Sequence, residues 1–233
     1  MSIISRLLYD FIDLFYPRVC AGCYAKLNKE EKEICLICKN SLPKTNFHVI
    51  DENPVKKLFW GKLPIHHATS YLYFTKHSKV QNILHNIKYN GHKELAQTMG
   101  QMFGAELKNS INYKDVDIII PVPLHPKKLK SRGFNQSEYF GIGLSESMEI
   151  PLSVNNLVRQ SNSSTQTKKN RFQRWENVSD IFAVLEPEKF QNKNLLLIDD
   201  VITTGATLEA CYKALAKSGN IKLSFASIAV SMM

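Results

Sequence analysis

The sequence predicts a parallel α/β sheet with flanking helices and a small cysteine-rich module on its N-terminal side. Three observations carry this reading. VDIII (Val116 to Ile120) and LLLI (Leu195 to Ile198) are short, continuously apolar runs, as expected of strands buried on both faces. Helix-period stretches alternate with such runs, and that alternation implies parallel pairing. Four of the five cysteines fall in two C-x2-C pairs, Cys20/Cys23 and Cys35/Cys38.

The elements follow in order. Ile4, Leu7, Leu8, Phe11, Ile12 and Phe15 keep helical spacing and predict a short amphipathic helix docked on the protein. The cysteine module ends near residues 45–55, where SLPKTNFHVIDENP reads as a connection. The division is therefore 1–50 for the helix and cysteine module and 51–233 for the second unit. YLYF (Tyr71 to Phe74) has the aromatic enrichment of a strand. Ile83, Leu84, Ile87, Leu95, Met99, Met102 and Phe103 mark two helices between Val80 and Leu107, broken at Tyr89-Asn90-Gly91. VDIII runs into PVPLHPKK, whose prolines end the ladder. A helix covers Gln136 to Ser147, and SNSSTQTKKN (Ser161 to Asn170) reads as a mobile loop. Then come the strand Leu195–Ile198, a helix from Thr207 to Ser218 and a last strand, SFASIAV. Cys211 shares a helix face with Leu208, Tyr212 and Leu215 and reads as a core thiol.

At 233 residues the chain can bury a good core, and its 10 Gly and 9 Pro exclude fibrous and low-complexity classes. No apolar run approaches the ~20 residues of a membrane span. Asp10 and Asp13 interrupt the first apolar stretch and no small-residue cleavage site follows, which argues against a secretory signal and for the cytoplasm. The net charge is +9 and uneven. From His125 to Trp175 nine Lys or Arg face three Glu, an excess that suggests a polyanionic partner.

The cysteines read C-x2-C, eleven intervening residues, C-x2-C. Two such knuckles complete the tetrahedral thiolate set of structural zinc, so Cys20, Cys23, Cys35 and Cys38 are the expected Zn2+ ligands. Redox use lacks the thioredoxin-like strand–helix context, and disulfides do not suit a cytoplasmic protein. With four protein ligands the site is closed and structural. The histidines show no metal-ligand spacing.

LLLIDDVITTGAT, Leu195 to Thr207, holds the functional signal. Ligands of parallel α/β sheets bind at the carboxyl ends of the strands, where Asp199 and Asp200 stand. In an extended chain their side chains point to opposite sides, so they flank a ligand with several hydroxyls, or one of them organises the loop. Thr203, Thr204 and Thr207, with nothing bulky at Gly205 or Ala206, open a helix and form a phosphate cup. Carboxylates for sugar hydroxyls beside an anion cup suggest a ribose 5-phosphate. A magnesium-binding ATPase strand would need G-x-x-x-x-G-K-[ST]; the one Gly-Lys is Gly61-Lys62, and residue 56 is Lys.

The stretch LLLIDDVITTGAT resembles the phosphoribosyl-pyrophosphate (PRPP) signature of type I phosphoribosyltransferases. The order CxxC…CxxC, IKYNGHKELA, PVPLHPKKLKSRGFNQ, TQTKKNRFQRWENV and the signature resembles the ComF/GntX family over nearly the whole chain. SDIFAV departs mildly from that family's Gly-Ala-Phe. The resemblance implies a type I phosphoribosyltransferase fold joined to a zinc ribbon, with a role in natural competence and DNA uptake. It places Asp199 and Asp200 on the ribose hydroxyls, directly or through Mg2+, and Thr203, Thr204, Gly205, Ala206 and Thr207 on the 5-phosphate. Val122 to Lys128 takes the position of the pyrophosphate loop, with Lys127 and Lys128 as its cations.

The implied reaction displaces pyrophosphate from PRPP with a nitrogen acceptor that the sequence does not identify. SNSSTQTKKNR would then close over the diphosphate with Lys168, Lys169 or Arg171. Phe134 or Trp175 could stack on a base. The alternative, from another class, is a non-catalytic competence protein that binds single-stranded DNA through the basic loops, with PRPP a regulator or the site vestigial.

Overall fold

The computed structural model describes residues 15–160 and 181–231. The expected N-terminal helix therefore falls almost wholly outside the described residues. Among those described, no helix is long and apolar enough to cross a membrane.

In chain order the helices are α1 (Leu36–Ser41), α2 (Pro54–Lys57), α3 (Lys79–Tyr89), α4 (Lys93–Lys108), α5 (Pro126–Arg132), α6 (Gln136–Met148) and α7 (Ala206–Leu215). The strands are β1 (Leu72–Phe74), β2 (Ile118–Pro121), β3 (Leu157–Arg159), β4 (Phe182–Val184), β5 (Asn194–Ile202) and β6 (Lys222–Ser231). The main sheet has the order β1-β6-β5-β2 and every pairing in it is parallel. β3 and β4 form a separate antiparallel pair. This is the parallel α/β sheet with flanking helices that the alternation predicts.

Each central strand feeds two cores, because successive side chains leave opposite faces. Leu196 and Ile198 join Ile119, Ala226 and Ile228 in a cluster under α3, α4 and α6. Leu195 and Leu197 join Ile120, Phe225 and the α7 residues Leu208, Cys211 and Leu215 in the other. Cys211 is fully buried there. The cysteine module packs into the first of these clusters, since Cys20, Ala21, Ile34, Cys35 and Cys38 belong to it.

Two differences from the sequence reading matter for the site. β5 does not stop at Ile198. It continues beside β6 through the acids to Ile202, with Asp199 opposite Ser227 and Val201 opposite Ala229. β2 does stop at Pro121, opposite Ile198, and Val122 N–H donates the last bond to Ile198 O at 2.9 Å. The acids therefore stand on a strand whose β2 side has just been left bare. Second, the stretch read as a connection is pinned. Asn53, 1% exposed, donates to the carbonyls of Ile50 and Ala68, both at 2.8 Å, and its Oδ1 caps α2.

α6 reaches the sheet because α4 lets it approach. A Cβ on Gly100 would lie 2.1 Å from Phe140 O, and one on Gly143 would lie 2.0 Å from Gln97 O. Only glycines allow that contact. Alanine ordinarily stabilises a helix interior by about 1 kcal/mol relative to glycine. Here Gly100→Ala is expected to destabilise by about 1–3 kcal/mol through overpacking, read as a lower urea midpoint with unchanged slope. A raised midpoint would mean the helices do not touch at these residues.

Candidate functional site

The bare edge of β5 opens into a cavity of about 200 Å³ lined by Asp199, Asp200, Ser137, Gln136, His125 and Thr207. Four cations also line it: Lys88 from α3, Lys128 and Arg132 from α5, and Arg159 from β3. Four cations against two acids make a pocket for an anion. Both acids border this one cavity, with different duties. Asp199 Oδ1 accepts from Ser137 Oγ at 3.1 Å and from the Asp200 N–H at 2.8 Å. Asp200 Oδ2 pairs with Lys88 Nζ at 3.0 Å.

The loop after β5 forms a second, smaller cavity of about 40 Å³, lined from Val201 through Leu208 and also by Asp199. Thr203, Thr204, Gly205, Ala206 and Thr207 are all in its wall. Gly205, at φ +78°, is the N-cap of α7 and supplies no side-chain cap; the Ala206 N–H donates only a long 3.5 Å bond to Thr204 Oγ1, so the first turn can still offer amides to an anion. Glycine is doubly required here. It takes the left-handed conformation, and a Cβ would meet the buried Phe59 ring at 2.6 Å. Phe59 in turn packs edge-on against Phe225 of β6, so the loop rests on the sheet core.

The segment after β2 is a helix that the sequence reading missed. His125 Nδ1 accepts from Lys127 N–H at 3.1 Å, Pro126 takes the first helical position, and Gly133 ends the turn at φ +80°. Lys128 is brought to the cavity, whereas Lys127 sits exposed on the same short helix, outside the residues lining it. Asn135 then caps α6 and ties back to Val122 O at 3.0 Å. Gln136 Oε1 accepts from Arg132 at 2.9 Å, while its buried Nε2 has no hydrogen-bond partner among the described residues. Phe134 packs edge-on against Tyr139 at 5.3 Å, a packing contact. Lys168, Lys169, Arg171 and Trp175 lie outside the described residues.

The sequence reading passed over Lys88, Arg132, Gln136 and Ser137 as individual site residues. Arg132 and Gln136 were within the quoted RGFNQ, and Lys88 within IKYNG. Arg159 carried no signal beyond its charge.

At the other centre, the four Sγ atoms of Cys20, Cys23, Cys35 and Cys38 lie within 4.8 Å of one another. Cys23 and Cys35 Sγ are 3.8 Å apart. A disulfide would bring two sulfurs to about 2.05 Å, whereas four thiolates on one tetrahedral ion at about 2.3 Å stand about 3.8 Å apart. The Cys35 and Gly22 N–H groups donate to Cys20 Sγ at 3.3 and 3.4 Å. Burial pushes the Cys20 thiol up, but backbone donors around Cys35, Cys23 and Gly22 outweigh it and bring it down to about 7. The four cysteines are positioned to bind a metal ion.

Burial, followed by the charge of Asp200, pushes the Asp199 carboxyl up to about 7. A carboxyl raised on folding binds its proton more tightly folded than unfolded. Its contribution is thus complete below about pH 4 and lost as pH rises through about 7. Asp199→Asn keeps an acceptor for Ser137 and cannot ionise. In ligand-free protein its melting temperature should match wild type near pH 4 and exceed it by several degrees at pH 8. Equal melting at both would mean that Asp199 ionises without cost.

No protein-family model matches the chain. Among curated proteins it is 34% identical over 116 residues to Competence protein F of Haemophilus influenzae, a match covering 49% of this chain and half of that one. It is 27% identical over 203 residues to Competence protein ComFC of Bacillus subtilis, covering 87% and 79%. Among solved structures it resembles the glutamine PRPP amidotransferase of B. subtilis complexed with ADP and GMP. That match has a TM-score of 0.42 and 16% identity, over 61% of this chain and 30% of that one. The chain is thus similar in sequence to curated proteins named for competence, as its ordered motifs lead one to expect.

Proposed function

We propose that the paired cavities bind PRPP with Mg2+, and that the protein is a phosphoribosyltransferase-type competence protein that transfers the phosphoribosyl group to a nitrogen acceptor. One observation carries the reading: a cationic cavity holding two carboxylates adjoins a glycine-opened helix start, and Asp199 borders both. PRPP has matching parts, a phosphate at one end, hydroxyls in the middle and a diphosphate at the other.

In this reading the amides and hydroxyls of Thr203 to Thr207 hold the 5-phosphate. Asp199 and Asp200 take the ribose hydroxyls. Lys128 and Arg132 hold the diphosphate, and Lys127 adds its charge from the surface. The C1–oxygen bond to pyrophosphate breaks as the C1–nitrogen bond forms, and the fixed cations stabilise the negative charge gathering on the departing group. Bound Mg2+ would supply further charge stabilisation on the diphosphate and fits a site with two carboxylates. The competence part of the reading is supported by the relatives' names, which are those of competence proteins. The chain divides into two units, 1–50 and 51–233, with the cysteines of the first holding structural Zn2+.

Calorimetric titration of Mg-PRPP into the protein tests the reading. Wild type should bind, and the Asp199→Ala/Asp200→Ala variant should lose at least about tenfold in affinity, since hydrogen bonds to charged groups contribute about 1.5–3 kcal/mol each. A wild type that binds single-stranded DNA but not PRPP would favour the DNA-binding alternative.

For the metal, atomic absorption should find one zinc per chain, and a strong chelator should lower the melting temperature sharply. A melt indifferent to chelation, with no zinc found, would remove the structural role.

A further inference from the structure

Helix α3 is fastened to the cysteine module through Asn82 and Asn86 and delivers a site residue from its last turn. The side-chain amides of Asn82 and Asn86 donate to Gly22 O at 2.9 Å and Ala21 O at 3.0 Å, the two residues between Cys20 and Cys23. Asn86 is 5% exposed, and it also donates to Asn82 O and accepts from Asn90, so its amide has no slack. The knuckle sits close against the helix start, since a Cβ on Gly22 would be 3.3 Å from Cys38 Sγ and 3.7 Å from Lys79 Cβ. Just past the helix, His92 Nδ1 lies 3.0 Å from a Glu33 carboxylate oxygen. Val80, Ile83 and Ile87 share one buried cluster with Cys20, Cys35 and Cys38. Two residues after Asn86, Lys88 Nζ lies 3.0 Å from Asp200 Oδ2 and borders the anion cavity.

Building on the PRPP reading, we propose that Lys88 contacts the ligand's diphosphate, and that metal binding at the four cysteines holds Lys88 in position through Asn82, Asn86 and α3. In the ligand-free protein Lys88 neutralises Asp200. When Asp200 turns to ribose hydroxyls or Mg2+, the ammonium is freed inside a cavity it shares with Lys128 and Arg132, where the diphosphate is the available anion. The metal fixes the carbonyls of residues 21 and 22, the two asparagines fix the helix to those carbonyls, and an intact helix over the next two residues carries that constraint to Lys88. Coupling of this kind is reciprocal, so bound ligand must also tighten the metal.

The test titrates Mg-PRPP into four zinc-loaded proteins: wild type, Lys88→Gln, Asn82→Ala/Asn86→Ala, and the combined variant. Lys88→Gln should weaken binding about tenfold or more, as expected for a lost charged hydrogen bond. The asparagine pair should weaken it about fivefold, within the usual range of site-to-site coupling. The combined variant should be no weaker than Lys88→Gln, because both changes act through one contact. If Lys88→Gln binds like wild type, or if the two losses multiply, the proposal fails while the PRPP reading stands. If wild type does not bind PRPP, that reading fails and this one with it. Should the asparagine variant lose its zinc, wild type and Lys88→Gln suffice. Saturating PRPP should slow chelator extraction of zinc from wild type and leave Lys88→Gln unchanged, and equal slowing in both would overturn the proposal.

Discussion

Two carboxylates on consecutive residues of a strand, both half-buried, cannot be left to repel each other. Removing a carboxylate from water is costly unless it gains partners. The neighbourhood of Asp199 and Asp200 is organised by that need. Ser137 and the Asp200 amide serve Asp199, and Lys88 serves Asp200. Asp199 still stays raised to about 7, so the partners are insufficient and the site favours any ligand that brings positive charge or hydroxyl donors.

These partners come from helices whose positions depend on the sheet and on one another. Ser137 reaches Asp199 because Asn135 caps α6 and ties it to the end of β2. α6 in turn fits only because Gly100 and Gly143 let it lie against α4 without intervening side chains. Lys88 reaches Asp200 from α3, which the cysteine module anchors. The Thr-rich loop rests on Phe59 from the segment that Asn53 pins. Distant parts of the chain thus converge on two acids of β5 and the loop that follows them.

The order of elements and the identity of the acidic and Thr-rich segments were legible because they rest on local signals. Apolar runs buried on both faces and helical stripes remain visible in one dimension. The extension of β5 through the acids was not legible, since its apolar signal ends at Ile198 while its ladder to β6 continues. α5 was hidden by charge and proline, although His125, Pro126 and Gly133 are recognisable start and stop signals. β3 and β4, three residues each, are too short to show a period. Lys88 was not legible for another reason: its role exists only through a tertiary contact with Asp200. The metal set was fully legible, because spacing alone brings four thiols together.

The charge arrangement also bears on which ligand suits the cavity. Cations alone would suit any phosphate chain, nucleic acid included. The two acids change that, because a phosphate approaching Asp199 and Asp200 meets repulsion unless hydroxyls or a divalent cation stand between them. The cations lie on α3, α5 and β3, and the acids lie on β5 beside the open start of α7. A ligand that satisfies both sets must alternate anionic and neutral parts over a short length, with an anion at each end. On the proposed reading, a ribose carrying phosphate groups at two positions offers free hydroxyls between its anions, whereas a DNA backbone, which also alternates phosphate and sugar, has no free hydroxyls within the chain to meet the two acids.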